Sequence, residues 1–323
     1  MTLATFIETM NTWGHDKVPF LFMVDFEMEH PIIKRLNEID DSIFLFDING
    51  FSNTSSVGSR NVSGRIDVSP IAFEEYKKKF DLVYDRLAYG DSFLTNLTIK
   101  TPIELQATLK DLFYQSRAKY KVWMEDELLV FSPETFIQIR DRKIFSYPMK
   151  GTIDASYPNA RKVIMSNRKE EAEHTTIVDL IRNDLSQVAV HVNVNRFRYI
   201  EEIKTSNKNL LQVSSEIVGD LPDDYRSTLG NILVKLLPAG SISGAPKTKT
   251  VEIIKQTEQE KRGYYTGVIG YFDGVNLDCG VMIRFIEKKN GTFFYRSGGG
   301  ITTQSIAGAE YQETIDKVYV PVD

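Results

Sequence analysis

Two turn dipeptides near the C-terminus, Asp273-Gly274 and Asn290-Gly291, constrain this chain more than any other feature. Both residues of such a pair tolerate positive φ, as a tight turn between antiparallel strands demands. They separate three apolar runs, Tyr264 to Phe272, Asn276 to Glu287 and Thr292 to Ser297, which read as an antiparallel meander. Earlier runs read as further strands: Phe20 to Val24, Ile43 to Phe46, Lys119 to Met124, Leu128 to Phe131 and Thr135 to Arg140. Helical spacing covers Pro70 to Leu87, where Phe73, Tyr76, Phe80, Val83 and Leu87 share one face. It recurs over about Ala160 to Val188 and about Ala307 to Val318. Antiparallel strands with segregated helices predict α+β rather than alternating βαβ units. No linker divides the chain, so we expect a single domain over 1–323. Residues 52–64, SNTSSVGSRNVSG, read as a mobile loop over a site or as a plain surface loop.

Charge and cysteine usage exclude several functions. Lys plus Arg is 39 and Asp plus Glu is 44, a net charge of -5, which argues against a nucleic-acid binder. It leaves anionic small molecules open as substrates. The single cysteine, Cys279, excludes an intramolecular disulfide and a multi-thiolate zinc site. It reads as inert packing. The four histidines have no metal-ligand spacing. No apolar run approaches the roughly 18 residues of a membrane helix. The start, MTLATFIETMNTW, lacks the pattern of a secretory signal, so a cytoplasmic location with no membrane partner is expected.

Several residues carry chemical potential. Glu170 and Glu173 lie three apart, on one face of the middle helix. Glu310, Glu313 and Lys317 share a face of the last helix. Two helices presenting paired carboxylates suit a hard cation such as Mg²⁺, and equally suit solvated faces with ordinary charge pairs. In Pro238 to Lys247, Ser243 and Gly244 precede Pro246 at a helix start, where free N–H groups attract an anion or are simply capped. Gly298 to Gly300 permit close backbone approach to a ligand but lack dinucleotide spacing. Arg284, inside the run Val281 to Phe285, needs a partner if its face is buried, and a substrate carboxylate would serve. Glu134 is a loop carboxylate with the chemistry of a general acid. Lys150 is a surface lysine unless its pKa is lowered, when it becomes a nucleophile.

Taken in order, these pieces resemble the chorismate-utilising enzymes: anthranilate synthase component I, aminodeoxychorismate synthase component I, and the isochorismate and salicylate synthases. The resemblance rests on Ser132-Pro-Glu134, Pro148-Met-Lys-Gly-Thr152, Glu173 to Asp184, Gly240 to Lys247, Tyr265 to Tyr271, Ile283-Arg284, Gly298 to Ile301 and Ala309 to Lys317. It implies two antiparallel sheets packed face to face, helices outside and the site between. It implies Mg²⁺ on Glu173 and Glu310, supported by Glu170 and Glu313, holding the ring carboxylate of chorismate. Tyr265, Arg284, Gly300 and Lys317 match residues that hold the enolpyruvyl carboxylate. Gly151, Thr152 and Gly298 match contacts near the ring carboxylate, Ser243 lies in a matched substrate-binding segment, and Glu134 matches the acid that helps the ring hydroxyl leave.

Lys150 points to the subfamily. Aminodeoxychorismate synthases carry lysine there, and anthranilate and isochorismate synthases carry alanine. The resemblance implies attack by the lysine on carbon 2, loss of the carbon 4 hydroxyl, then displacement of the lysine by ammonia at carbon 4. A neutral amine is required, so a depressed Lys150 pKa is expected, with Mg²⁺ and Arg284 pushing that way. The implied product serves p-aminobenzoate and folate synthesis. Three departures stand out. The first 90 residues are short for the family, which implies no tryptophan feedback, leaving 91–323 to carry the core motifs. Gln212 stands where the family often has histidine, so no catalytic role is expected there. No glutaminase module is recognisable, so ammonia is expected free or from a separate glutamine amidotransferase subunit.

Overall fold

The computed structural model describes residues 1–54, 64–204 and 209–321, so most of the 52–64 loop lies outside the described residues. Two antiparallel sheets dominate, each with nine strands among the described residues. The first runs in the order Met149–Asp154, Asn209–Asp220, Lys143–Ser146, Thr135–Arg140, Leu277–Val281, Val268–Phe272, Phe20–Val24, Ile32–Arg35, with Val190–Lys204 also paired to Asn209–Asp220. The second runs Gly244–Ala245, Leu94–Leu105, Thr292–Ile301, Phe285–Lys289, Leu128–Ser132, Tyr120–Met124, Phe44–Ile48, Phe51–Ser52, with Ile66–Val68 on Leu94–Leu105.

The sheets pack face to face as the α+β reading expects. Leu21, Met23 and Ile269 of the first meet Phe46, Ile48, Val122, Val130 and Phe285 of the second. The alternate residues Phe20, Phe22 and Val24 point the other way, into a cluster with Phe6 and Met10 of helix Leu3–His15. This strand is therefore buried on both faces, which is why it reads as a continuous apolar run rather than an alternation. Helix Phe73–Tyr89 covers the outer face of the second sheet, packing Tyr76, Phe80, Val83 and Leu87 against Leu97 and Ile99. It stops at Gly90, whose φ of 95° closes the helix in the left-handed conformation.

Two expected elements are divided and a third is shortened. The run Asn276 to Glu287 is not one strand: Leu277–Val281 belongs to the first sheet and Phe285–Lys289 to the second. The chain crosses between them at 282–284, and Arg284, expected inside a strand, sits at the crossing with φ 53°. The C-terminal meander is thus two hairpins in different sheets. A second crossing, at Pro133-Glu134, joins Leu128–Ser132 to Thr135–Arg140 in the same way. The two crossings lie side by side: Phe131 N–H donates to the Arg284 carbonyl at 3.1 Å, and Val281 N–H donates to the Glu134 carbonyl at 3.0 Å. A bend from one sheet into the next leaves the apolar pattern uninterrupted, so periodicity does not reveal it.

The strand expected from Tyr264 begins at Val268, because Gly267 N–H turns back to the Tyr264 carbonyl at 3.0 Å. The helix expected over 160–188 is two, Ala160–Ser166 and Arg168–Leu185. Asn167 breaks it with ψ 103° and caps the second helix, its side-chain oxygen accepting from Glu170 N–H at 3.2 Å. Among the described residues, no helix is long and apolar enough to cross a membrane.

Candidate active site at the sheet crossings

The paired crossings deliver Glu134 and Arg284 to one cavity. Its inner chamber, about 160 Å³, is lined by Glu134, Lys150, Tyr265, Arg284, Gly298 and Lys317 among others. It adjoins an outer cleft of about 630 Å³ that adds Gly151, Thr152, Glu170, Gln212 and Glu310. Every site residue expected from the sequence lines one or both, including Ser243 in the chamber, Glu173, Glu313 and Gly300 in both.

Each wall has a local cause. Lys150 lies in strand Met149–Asp154, where Gly151 has φ 78° and the register against Asn209–Asp220 slips between Met149 and Thr152. That slip is a bulge, which bends the strand and re-aims a side chain. Lys150 Nζ ion-pairs with Glu173 Oε2 at 2.8 Å. The three glycines, expected between a strand and the last helix, are within strand Thr292–Ile301. A Cβ on Gly298 would come 2.5 Å from the Leu97 carbonyl, so no larger residue fits there. Lys317 Nζ donates to the Gly298 carbonyl at 2.8 Å and pairs with Glu313 at 2.6 Å.

The short helix Gly240–Ser243 gives its two serines different partners. Ser243 is fully buried and spends its hydroxyl on the Ala239 carbonyl at 2.9 Å. Ser241, which the sequence reading passed over, donates to Glu134 Oε1. Residues two positions apart on a helix point about 200° apart, so only one of these serines can face Glu134, and spacing does not say which. Pro246 caps helix Lys247–Glu258 rather than opening it, and Gly244–Ala245 pairs as a strand with Thr95 and Leu94. Before it, the Ile242 and Ser243 N–H groups both donate to the Ala239 carbonyl, at 3.3 and 3.2 Å. Asn96, also in the chamber, had no sequence signal; register with Gly300 brings it there.

Electrostatics separate the two walls. Burial raises the Glu134 pKa, partly offset by the Ser241 hydrogen bond and the charges of Arg284 and Lys317. Tyr265, 3% exposed, is pushed up to about 12 by burial and keeps its proton. Burial pulls the Lys150 pKa down, but Glu173, with Glu170 and Glu313, more than reverses it, and the net shift is up. The expected depression is therefore absent from this carboxylate-rich wall. His174, beside Glu173, is driven down to about 4 by burial and by Arg198 and Lys150. Arg284 keeps one buried donor, Nε, without a hydrogen-bond partner, and stacks its guanidinium 5.3 Å from the Tyr319 ring centre.

The carboxylates suit a hard cation. Glu170 Oε2 is buried with no hydrogen-bond partner. Glu310 Oε2 and Glu313 Oε1 each lie 3.6 Å from the point where a Cβ on Gly299 would sit, so they share the space that glycine leaves. All donors are oxygens, as Mg²⁺ prefers. Among the described residues no group of three or more His, Cys, Asp or Glu side chains is placed to hold a metal ion. Mg²⁺ needs only one or two carboxylates when waters and an anionic substrate complete its shell.

Known proteins match this arrangement. A protein of Haemophilus influenzae named as an uncharacterized PabA-like protein is 47% identical over 322 residues, covering 100% of this chain and 98% of that one. Aminodeoxychorismate synthase component 1 of Escherichia coli is 36% identical over 262 residues, covering 76% of this chain and 56% of that one. The crystal structure of anthranilate synthase component I from Streptococcus pneumoniae superposes with a TM-score of 0.65 at 27% identity, over 78% of this chain and 58% of that one. The sequence profile described as chorismate binding enzyme matches residues 8–323. A chain matched over nearly its whole length, with the same fold, belongs to the family of chorismate binding enzymes and acts on chorismate.

Proposed function

We propose that this chain is an aminodeoxychorismate synthase component I, joining chorismate and ammonia to give 4-amino-4-deoxychorismate. The observation that carries the reading is Lys150, whose amine reaches the same inner chamber as Glu134. Lys150 first releases its ammonium proton to solvent; the neutral amine then forms a bond to ring carbon 2, both ring double bonds shift by one position, and the bond from carbon 4 to its hydroxyl breaks. Glu134 gives that hydroxyl its proton, so water leaves. Ammonia then bonds to carbon 4 as the bond from carbon 2 to Lys150 breaks, and the new ammonium loses a proton. A carboxyl whose pKa burial raises suits the first step.

Tyr265, Arg284, Gly300 and Lys317 hold the enolpyruvyl carboxylate, and the unpaired Arg284 Nε is a donor waiting for it. Gly151, Thr152 and Gly298 lie against the ring carboxylate. Glu173 and Glu310, with Glu170 and Glu313, would hold Mg²⁺, which supplies the positive charge for that carboxylate and competes with Lys150 for Glu173. Ammonia comes from a glutamine amidotransferase partner, in keeping with the component 1 name of the Escherichia coli relative. The product serves p-aminobenzoate and folate synthesis in the cytoplasm.

The test is a product assay with chorismate, Mg²⁺ and an ammonium salt at mildly alkaline pH, read by chromatography and mass. Aminodeoxychorismate is the expected product. Anthranilate or isochorismate would overturn the subfamily reading, and an unchanged chorismate pool would overturn ammonia-dependent turnover by this chain.

A further inference from the structure

Behind the chamber lies a fully buried ion pair that the chemistry above does not use. Arg262 and Glu258 side chains are 1% and 2% exposed. Arg262 grips Glu258 through both fork positions, Nε at 2.9 Å and Nη2 at 2.7 Å. The remaining donors go to three separate segments: the Ile242 carbonyl at 2.9 Å, the Asn96 carbonyl at 2.7 Å and, more weakly, Thr266 Oγ1 at 3.4 Å. Glu258 Oε1 in turn accepts from the Thr98 N–H and hydroxyl, each at 2.9 Å. The guanidinium also lies 4.6 Å from the Phe26 ring centre.

Each segment carries a wall of the chamber. Ile242 follows Ser241, the donor to Glu134. Asn96 lines the chamber and pairs with Gly300, and Thr98 pairs with Gly298. Thr266 follows Tyr265 and, with φ 61°, sits in a conformation that needs outside support. A second buried arginine, Arg296, fixes the same turn from the other side, bonding Glu260 at 2.9 Å and the Lys261 carbonyl at 3.3 Å. Burying such a pair adds little stability compared with apolar residues of similar size, so stability does not explain it. A planar fork with five fixed donors does explain it, because it sets distances between the segments it bridges.

We infer that Arg262 is a positioning residue: it sets Ser241, Asn96 and Tyr265 relative to one another and so aims Glu134 and the substrate carboxylate. It touches no reacting atom. Two variants test this, Arg262→Lys, which keeps charge and loses the fork, and Arg262→Met with Glu258→Leu, which removes the pair without leaving a buried charge. Amide hydrogen exchange of the free protein is the first readout. Exchange at 96–98 and 240–243 should quicken by about tenfold or more while Tyr120–Met124 is unchanged. Equal acceleration in all three segments, or none, would overturn the proposal. The second readout is turnover: kcat should fall by about 10- to 100-fold with a smaller change in KM, and a wild-type kcat would overturn it. Turnover rests on the chorismate reading, whereas exchange does not. A wild-type enzyme without the proposed product would therefore sink that reading and leave the positioning role to the exchange result. Should the double variant not fold, Arg262→Lys carries both readouts.

Discussion

The two walls of the chamber solve opposite problems with the same kind of residue. At the sheet crossings one carboxyl, Glu134, stands among Arg284, Lys317 and Ser241, and burial still dominates, lifting its pKa. At the helical wall several carboxylates surround one amine, and their charge overrides burial, so Lys150 is held as an ammonium. The first group is prepared for proton donation by the fold itself. The second is prepared for ion pairing and becomes a nucleophile only when Glu173 is otherwise engaged. A carboxylate's environment, not its identity, thus decides whether it acts as an acid or as a cation ligand.

The largest effect should come from the amine. Lys150→Ala should slow amination at carbon 4 by at least about a thousandfold, judged against typical losses for a catalytic nucleophile, while chorismate binding in Mg²⁺ persists. Wild-type aminodeoxychorismate formation in that variant would dissolve the contrast between the walls.

On the other wall, Glu134→Gln should lower kcat by about 10²- to 10⁴-fold, the usual worth of a general acid. The wild type should lose activity as pH rises through the raised Glu134 pKa, and the variant should lose that limb. Stability gives an independent check. Between the ordinary carboxyl range and the raised value, the folded state binds more protons than the unfolded state, so stability falls as pH rises. Glu134→Gln removes that fall, and its melting temperature at neutral pH should match or exceed that of the wild type. A variant whose stability still falls with rising pH by the wild-type margin would show that another group titrates there.

Glu310→Ala should weaken Mg²⁺ dependence and chorismate binding together, by about tenfold or more in a Mg²⁺ titration. An unchanged titration would remove Glu310 from the cation wall. Smaller effects separate the two serines. Ser241→Ala removes a hydrogen bond that favours the charged carboxylate, so the Glu134-dependent limb should move to higher pH with a few-fold change in kcat. Ser243→Ala should cost about 0.5–1.5 kcal/mol of stability and leave the pH profile alone. A shift of the profile in Ser243→Ala would reverse their assignment.

Much of this molecule is legible in its sequence because local chemistry suffices. Asp273-Gly274 and Asn290-Gly291 do fall between strands: Asn290 and Gly291 both have positive φ, whereas in the first turn Gly274 has it and Asp273 does not, its N–H closing the turn on the Asn276 carbonyl. The face of helix Phe73–Tyr89 is read correctly because its spacing of 3.6 residues per turn is intrinsic. The motifs that make up the chamber are visible only through their order, which resembles that of the chorismate-utilising enzymes; taken singly, each reads as well as a capped helix, a surface lysine or a solvated charge pair. Tertiary structure decided what locality does not contain. The strand crossings at Glu134 and Arg284 leave the apolar pattern intact, and only the packing of two sheets makes a chain change sheet there. The choice of Ser241 over Ser243, the arrival of Asn96 beside Gly300, and the sign of the Lys150 shift all depend on neighbours distant in the chain. Their common cause is that hydrogen bonds and Coulomb forces act across space, whereas a sequence pattern records only what acts along the backbone.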